Sequence, residues 1–193
     1  MEIAIAQNGS VRNKVASDGF LGMIFLLATE AMLFAGLISA YIVNRAVTKV
    51  WPPYGQPRLP IEITAANTAI LLTSGILLFM FSRKYKTGGS KLLLMLAFIL
   101  GVTFLTIQGT EWARMIDFGL TQRSSIYGAF FYLIIGIHAV HVVAGLQVLL
   151  YLWRTVGKAS ALEAAKNKIT ICSMYWYFVV GIWPILYVLV YLI

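Results

Sequence analysis

Two histidines stand three residues apart in the segment GIHAVHVVAG, at His138 and His141, so a helix there puts both imidazoles on one face. Imidazoles so placed are the groups that ligate heme iron or copper. Such a site needs converging partners: a histidine on a second helix for a heme pair, or further His, Asp, Glu or Cys ligands for a metal. The sequence holds two histidines in all and one cysteine, Cys172. No metal site is therefore predicted in this chain, and His138 and His141 are read as a structural hydrogen-bonding pair inside a bundle. The single cysteine also leaves no internal disulfide and no cysteine-held iron–sulfur centre.

The other group with chemical potential is a carboxylate. Glu30 lies inside the uninterrupted apolar run GFLGMIFLLATEAMLFAGLISAYIV, Gly19 to Val43. A bilayer takes about 20 helical residues at ~1.5 Å rise each, which puts Glu30 near the membrane midplane. Ionisable groups at that depth cost about 2.5–3.5 kcal/mol on translocon scales for Asp, Lys and Arg, and as a rule face a bundle interior or a polar cavity. On the same helix Gly22, Thr29 and Gly36 recur at sevens, with Ala40 four residues on, a small-residue stripe where another helix can come close. Glu30 is one residue, about 100°, from that stripe and is predicted to flank the contact.

Further polar residues sit in apolar surroundings. Asn67 and Thr68 fall deep in the second apolar run and are predicted to hydrogen-bond across helices. Gln108 and Glu111 close the third run in TIQGTEWARMID, and two readings stay open for Glu111: a solvated carboxylate at the interface, or a buried partner for a neighbouring helix or subunit. Arg154, after Trp153, is a candidate lipid-phosphate contact as well as an ordinary topology signal, and Trp51 is suited to the headgroup interface. The aromatic stretch YWYFVVGIWPILYVLVY is read as packing rather than as a quinone or pigment pocket, with Pro184 bending its helix. Nucleotide loops, nucleophilic triads and paired hydrolase carboxylates are missing from the sequence.

The elements that position these residues follow from composition. Sixty per cent of the residues are hydrophobic and 11% charged, with a mean hydropathy of +0.84. That is the profile of a polytopic membrane protein. Apolar runs at about 19–43, 61–81, 91–112, 125–153 and 169–193 are continuous and too long for the strands of about ten residues in a membrane barrel. The predicted fold is all-α: a polar tail over 1–18, then one five-helix transmembrane domain over 19–193, without repeats or a soluble domain. The loop 44–60, rich in proline, is predicted to be an ordered turn-rich connection, and Gly88 and Gly89 a helix stop. The tail lacks the order of a cleaved signal peptide, so the first helix is expected to be retained.

The net charge of +8 reports topology rather than nucleic-acid binding, because the cations are spread over loops and form no continuous face. The tail and the second and fourth loops carry ten (Arg12, Lys14, Arg83, Lys84, Lys86, Lys91, Arg154, Lys158, Lys166 and Lys168). The other side carries five: Arg45, Lys49, Arg58, Arg114 and Arg123. The positive-inside rule then puts the N-terminus in the cytoplasm and the C-terminus across the membrane.

Taken in order, the segments resemble subunit III of the heme-copper respiratory oxidases over nearly the whole chain after the tail. FLLATEAMLFAGLISAY carries Glu30 where that family has its intramembrane carboxylate. WPPYGQPRLPIEITAANTAILLTSG is similar to the family's Trp-Pro-Pro loop and Asn-Thr helix, through Trp51, Pro52, Pro53, Glu62, Asn67, Thr68, Ser74 and Gly75. TFLTIQGTEW supplies Gln108 and Glu111, and the next helix Tyr127, Gly128, Phe131, His138, His141 and Gly145. YWYF follows, with Trp183 and Tyr187. Longer relatives have seven helices, the first two walling a lipid-holding cleft, and the chain resembles the five-helix bacterial form without them. It departs from the family's Trp-His-Phe-Val-Asp pattern, reading Trp176, Tyr177, Phe178, Val179 and Val180.

The resemblance implies an accessory subunit of a proton-pumping terminal oxidase in a bacterial cytoplasmic (inner) membrane. Its expected partners are the catalytic subunit I, subunit II and other oxidase subunits, phospholipid, and a respiratory supercomplex. Heme and copper are expected in the partner subunits and none in this chain. The expected role is to support the catalytic subunit, to bind structural lipid and to sustain proton uptake. A quinol oxidase or a nitric oxide reductase accessory protein would share the resemblance. A small membrane transporter is the rival of a different class, since it too can use a mid-membrane carboxylate, but it is expected to show inverted repeats or broken helices.

Overall fold

The computed structural model describes residues 18–55, 57, 59–85, 91–156 and 162–192. Five helices account for most of them: α1 (Asp18–Val47), α2 (Ile61–Lys84), α3 (Lys91–Asp117), α4 (Ile126–Thr155) and α5 (Leu162–Tyr187), the last continued by a π-helical turn, Val188–Leu192. Each is long and apolar enough to cross a membrane, and no strand occurs among the described residues. The positions proposed for the tail cations, for Arg58, Lys86 and Lys158, and for the Gly88–Gly89 stop lie outside the described residues.

The helices outrun the apolar segments because their ends are set by caps and charges, not by hydropathy. α3 passes Trp112 and stops only where Gly119 takes a left-handed backbone conformation (φ 86°). There the Leu120 amide donates to the Met115 carbonyl at 2.9 Å and the Gly119 amide to Ile116 at 2.9 Å, a glycine-capped end in which Leu120 is fully buried. Ser125 caps α4, its hydroxyl accepting from the Gly128 amide at 3.0 Å. Asp18 in the first turn of α1, and Arg45, Arg83, Lys84, Arg114 and Arg154 in last turns, all complement the helix dipoles. α5 begins at Leu162, seven residues before its apolar run, and Pro184 precedes the widening of its last turn to π geometry.

α2, α3, α4 and α5 pack in a ring, each against its neighbours, and α1 lies outside it against α4 and α5. Trp176 of α5 is the centre of the ring. Its indole is fully buried and donates to the Ser74 hydroxyl of α2 at 3.2 Å. A Cβ on Gly101 of α3 would come within 2.8 Å of this ring, and one on Gly145 of α4 within 2.7 Å. These two glycines are what let four helices close around one large side chain.

α1 is bound much more lightly: of its thirty residues only Phe34 and Tyr41 are buried. The small-residue stripe corrects the sequence expectation. Gly22, Thr29, Gly36 and Ala40 are all exposed, and a Cβ on Gly22 or Gly36 would meet nothing within 4 Å. Met23, Leu27, Phe34, Leu37, Ile38 and Tyr41 make the inward face instead, a single stripe along the helix. Bulk won over smallness because α1 rests in the groove between α4 and α5, which large side chains fill. Exposed threonines turn their hydroxyls onto their own helices, as Thr29 does to the Leu26 carbonyl at 2.7 Å and Thr103 to Ile99 at 3.0 Å, which satisfies these donors away from lipid.

Candidate functional site

Glu30 belongs to the inward face of α1. Its carboxylate oxygen Oε2 lies 2.8 Å from Nε2 of His141 on α4. Counted from Asp18 at 1.5 Å per residue, Glu30 is about 18 Å along its helix, and His141 about 22 Å along α4 from Ile126, near the middle of both spans. Both side chains are mostly covered, with 22% and 12% of their surface exposed. Phe34, one turn past Glu30, packs its ring 5.2 Å from that of His141 and shields the pair from the bundle interior.

The other imidazole nitrogen fixes the chemistry. Nδ1 of His141 lies 2.7 Å from the Ile137 carbonyl, which can only accept, so Nδ1 carries a proton. The line from Nε2 to Glu30 Oε2 then holds one further proton, either on an imidazolium facing a carboxylate or on a carboxyl facing a neutral imidazole. The pair is neutral overall in both forms, the state that a low-dielectric site favours. With both nitrogens engaged, His141 turns no lone pair toward a metal. Among the described residues no group of three or more His, Cys, Asp or Glu side chains converges.

His138 does not form the hydrogen-bonding pair with His141 that the sequence suggested. It is 1% exposed and stacks on Trp183 with ring centroids 4.9 Å apart, its edges against Phe34 and Phe104. Neither ring nitrogen meets a protein partner. Three residues turn a helix by about 300°, leaving a 60° offset. That offset sends His141 toward α1 and His138 toward the ring's interior.

The remaining polar residues form a column inside the ring. Asn67 donates to the Phe104 carbonyl of α3 at 3.1 Å, and Trp183 donates to the Thr68 hydroxyl at 2.9 Å. Gln108 donates to the Tyr191 hydroxyl at 3.0 Å, and Ser74 to the Ala97 carbonyl at 2.7 Å. Glu111 is 4% exposed, which sets aside the solvated reading, and Arg114 of its own helix donates to its carboxylate at 2.8 Å. Trp51 leans inward, donating to the Tyr41 hydroxyl at 3.3 Å and standing edge-on to Tyr127, so it ties the loop to α1 and α4. Arg154 is exposed at the end of α4.

The family model for cytochrome c oxidase subunit III matches residues 4–193. The chain belongs to the cytochrome c oxidase subunit III family. It is 30% identical to cytochrome c oxidase subunit 3 of Synechocystis sp. over 176 residues, 89% of this chain and 74% of the relative. It is 29% identical to that of Corynebacterium diphtheriae over 179 residues (90% and 87%) and 33% identical to that of Lycodon semicarinatus over 187 residues (88% and 67%). Membership makes it a multi-pass membrane subunit of a heme-copper oxidase that associates with other oxidase subunits. Sequence reasoning did not single out two residues that contact these polar groups: Phe34, whose signal was its place one turn past Glu30, and Tyr191, whose partner Gln108 lies 83 positions away and left no local trace.

Proposed function

We propose that the chain serves its oxidase as an accessory subunit that carries no redox centre, packs against the catalytic subunit I and, with it, subunit II, and keeps a shared proton at mid-membrane in the Glu30–His141 pair to support proton uptake during oxygen reduction. The 2.8 Å Glu30–His141 bond supports this most strongly, because a neutral, proton-bearing pair between two spans can give up or accept a proton with little change of shape. Heme and copper would then reside in the partner subunits, and structural phospholipid would cover the broad apolar face of α1, where Phe25 and Met32 are more than two thirds exposed. The ten-to-five division of cations supports an N-terminus on the cytoplasmic side of a bacterial inner membrane. The transporter reading finds no support, since α1 runs unbroken through Glu30.

The test is native purification of the tagged chain in mild detergent, with mass spectrometry of the intact complex and a visible spectrum. Co-elution with heme-bearing subunits, retained in Glu30→Gln, is the expected result. A colourless chain running alone would overturn the proposal.

A further inference from the structure

One stripe of α4 faces outward along most of its length. Ala129, Leu133, Gly136, Val140, Val143 and Gln147 follow at alternating spacings of four and three, so they share one face of the helix. All are exposed except Gly136, which is half-buried. A groove of about 580 Å³ runs along the first half of the stripe, over Ala129, Gly136 and Val140, with Arg123 also lining it. Its floor is low at Gly136, where the nearest side-chain atom to a Cβ position is 3.6 Å away on Trp112.

Gln147 is costly on such a face. α4 is 30 residues long, about 45 Å, against a hydrocarbon core of about 30 Å. Gln147 stands eight residues before Thr155, about 12 Å from the helix end, and falls inside the core of a bilayer centred on the helix. Its side chain is exposed, and no described residue hydrogen-bonds to it. Other exposed polar side chains close onto their own helix, as Thr106 does to Val102 at 3.0 Å, Thr155 to Tyr151 at 2.8 Å and Asn44 to Ala40 at 2.8 Å. An amide at this depth needs a donor or acceptor from outside the chain.

We propose that this stripe seats a transmembrane helix of another oxidase subunit, and that Gln147 hydrogen-bonds to a polar side chain of that helix. The proposal rests on the chain's place in an oxidase complex and not on the role given to Glu30. Side chains of the incoming helix fill the groove over Gly136, where the two backbones come closest, and a serine, threonine, asparagine or glutamine stands opposite Gln147. One polar residue in an otherwise apolar stripe fixes the register of such a contact. An acyl chain offers Gln147 no hydrogen bond. Charge selects against a second copy of this chain: Arg123 lines the groove, and Arg154 falls on the same stripe two turns past Gln147. A two-fold pairing of copies through this face would set each arginine against its own counterpart. A different helix, with carboxylates or free carbonyls at its ends, complements both.

The test uses the complete oxidase complex in its native membrane, with the photoreactive residue benzoylphenylalanine placed at Val140 or at Val143 and adducts mapped by peptide mass spectrometry. Irradiation is expected to join the chain, from both positions, to one apolar helix of another oxidase subunit. Gln147→Leu should raise the fraction of the chain released by a fixed detergent wash about threefold, the usual strength of one hydrogen bond between spans. Val140→Trp enlarges a side chain that is 67% exposed and spares the chain's own packing, and it too should raise release. Adducts with lipid alone, or with a second copy of the chain, would overturn the proposal, as would unchanged release in both variants. Any of these in a complex that keeps its heme-bearing subunits removes this inference alone. A colourless chain running by itself removes the oxidase reading and this inference with it.

Discussion

Gly145→Ala should destabilise the bundle through Trp176 alone, and the amount follows from distances. The new methyl carbon would stand 2.7 Å from Cε3 and 2.8 Å from Cζ3 of the indole. Ordinary contact begins at 3.4 Å, so the ring must retreat by about 0.7 Å. Its retreat is restrained: the far edge of the same ring already fills the space that a Cβ on Gly101 would take, and its nitrogen is tied to Ser74 at 3.2 Å. Overpacking of this kind costs about 1–3 kcal/mol. Unfolding of the purified chain by titration with a denaturing detergent, followed by circular dichroism, measures it. Trp176→Phe gives a double-mutant cycle, because the smaller ring leaves room for the methyl group while Ser74 keeps its bond to the Ala97 carbonyl. The double variant should lose less than the sum of the single losses by about 1 kcal/mol or more. Strict additivity would refute the wedge, as would a Gly145→Ala variant as stable as the parent.

The interior hydrogen bonds make smaller predictions. Ser74→Ala strands the Trp176 nitrogen, and Tyr191→Phe strands the Gln108 amide; each should cost about 0.6 kcal/mol and at most ~2, because the membrane-inserted unfolded chain also finds partners. The same detergent titration reads both. Glu30→Gln should assemble normally, since a glutamine amide can donate to His141 Nε2, whereas Glu30→Leu leaves that nitrogen without a partner and should reduce the yield of assembled complex. Phe34→Ala uncovers the pair on its inner side and removes a buried ring, and should lower stability by about 3–5 kcal/mol, less where lipid fills the space.

Legibility in the sequence divides along physical lines. Five spans were readable because bilayer thickness imposes length and hydropathy, whatever the packing. Helix ends were not, because α3 is stopped by Gly119 and its capping bonds rather than by the end of its apolar run. Glu30 stood out by cost, yet its partner did not, since His141 is 111 positions away and the choice between two histidines rests on a 60° offset about α4. The small residues of α1 misled for a related reason: small side chains permit close approach but do not compel it, and the groove between α4 and α5 admits Phe34 and Tyr41 instead. On α3 and α4, Gly101 and Gly145 do mark close approach, but only a knowledge of where Trp176 points could have separated them from the other glycines.

The measurement that bears most directly on the proposed role is the rate of proton uptake by the reconstituted oxidase, compared between the parent and Glu30→Gln at equal heme content. Glutamine keeps the hydrogen bond to His141 and removes the shared proton, so uptake should slow while assembly and the heme spectrum stay unchanged. Uptake at the parental rate would show that the Glu30–His141 pair holds α1 to α4 and does nothing more.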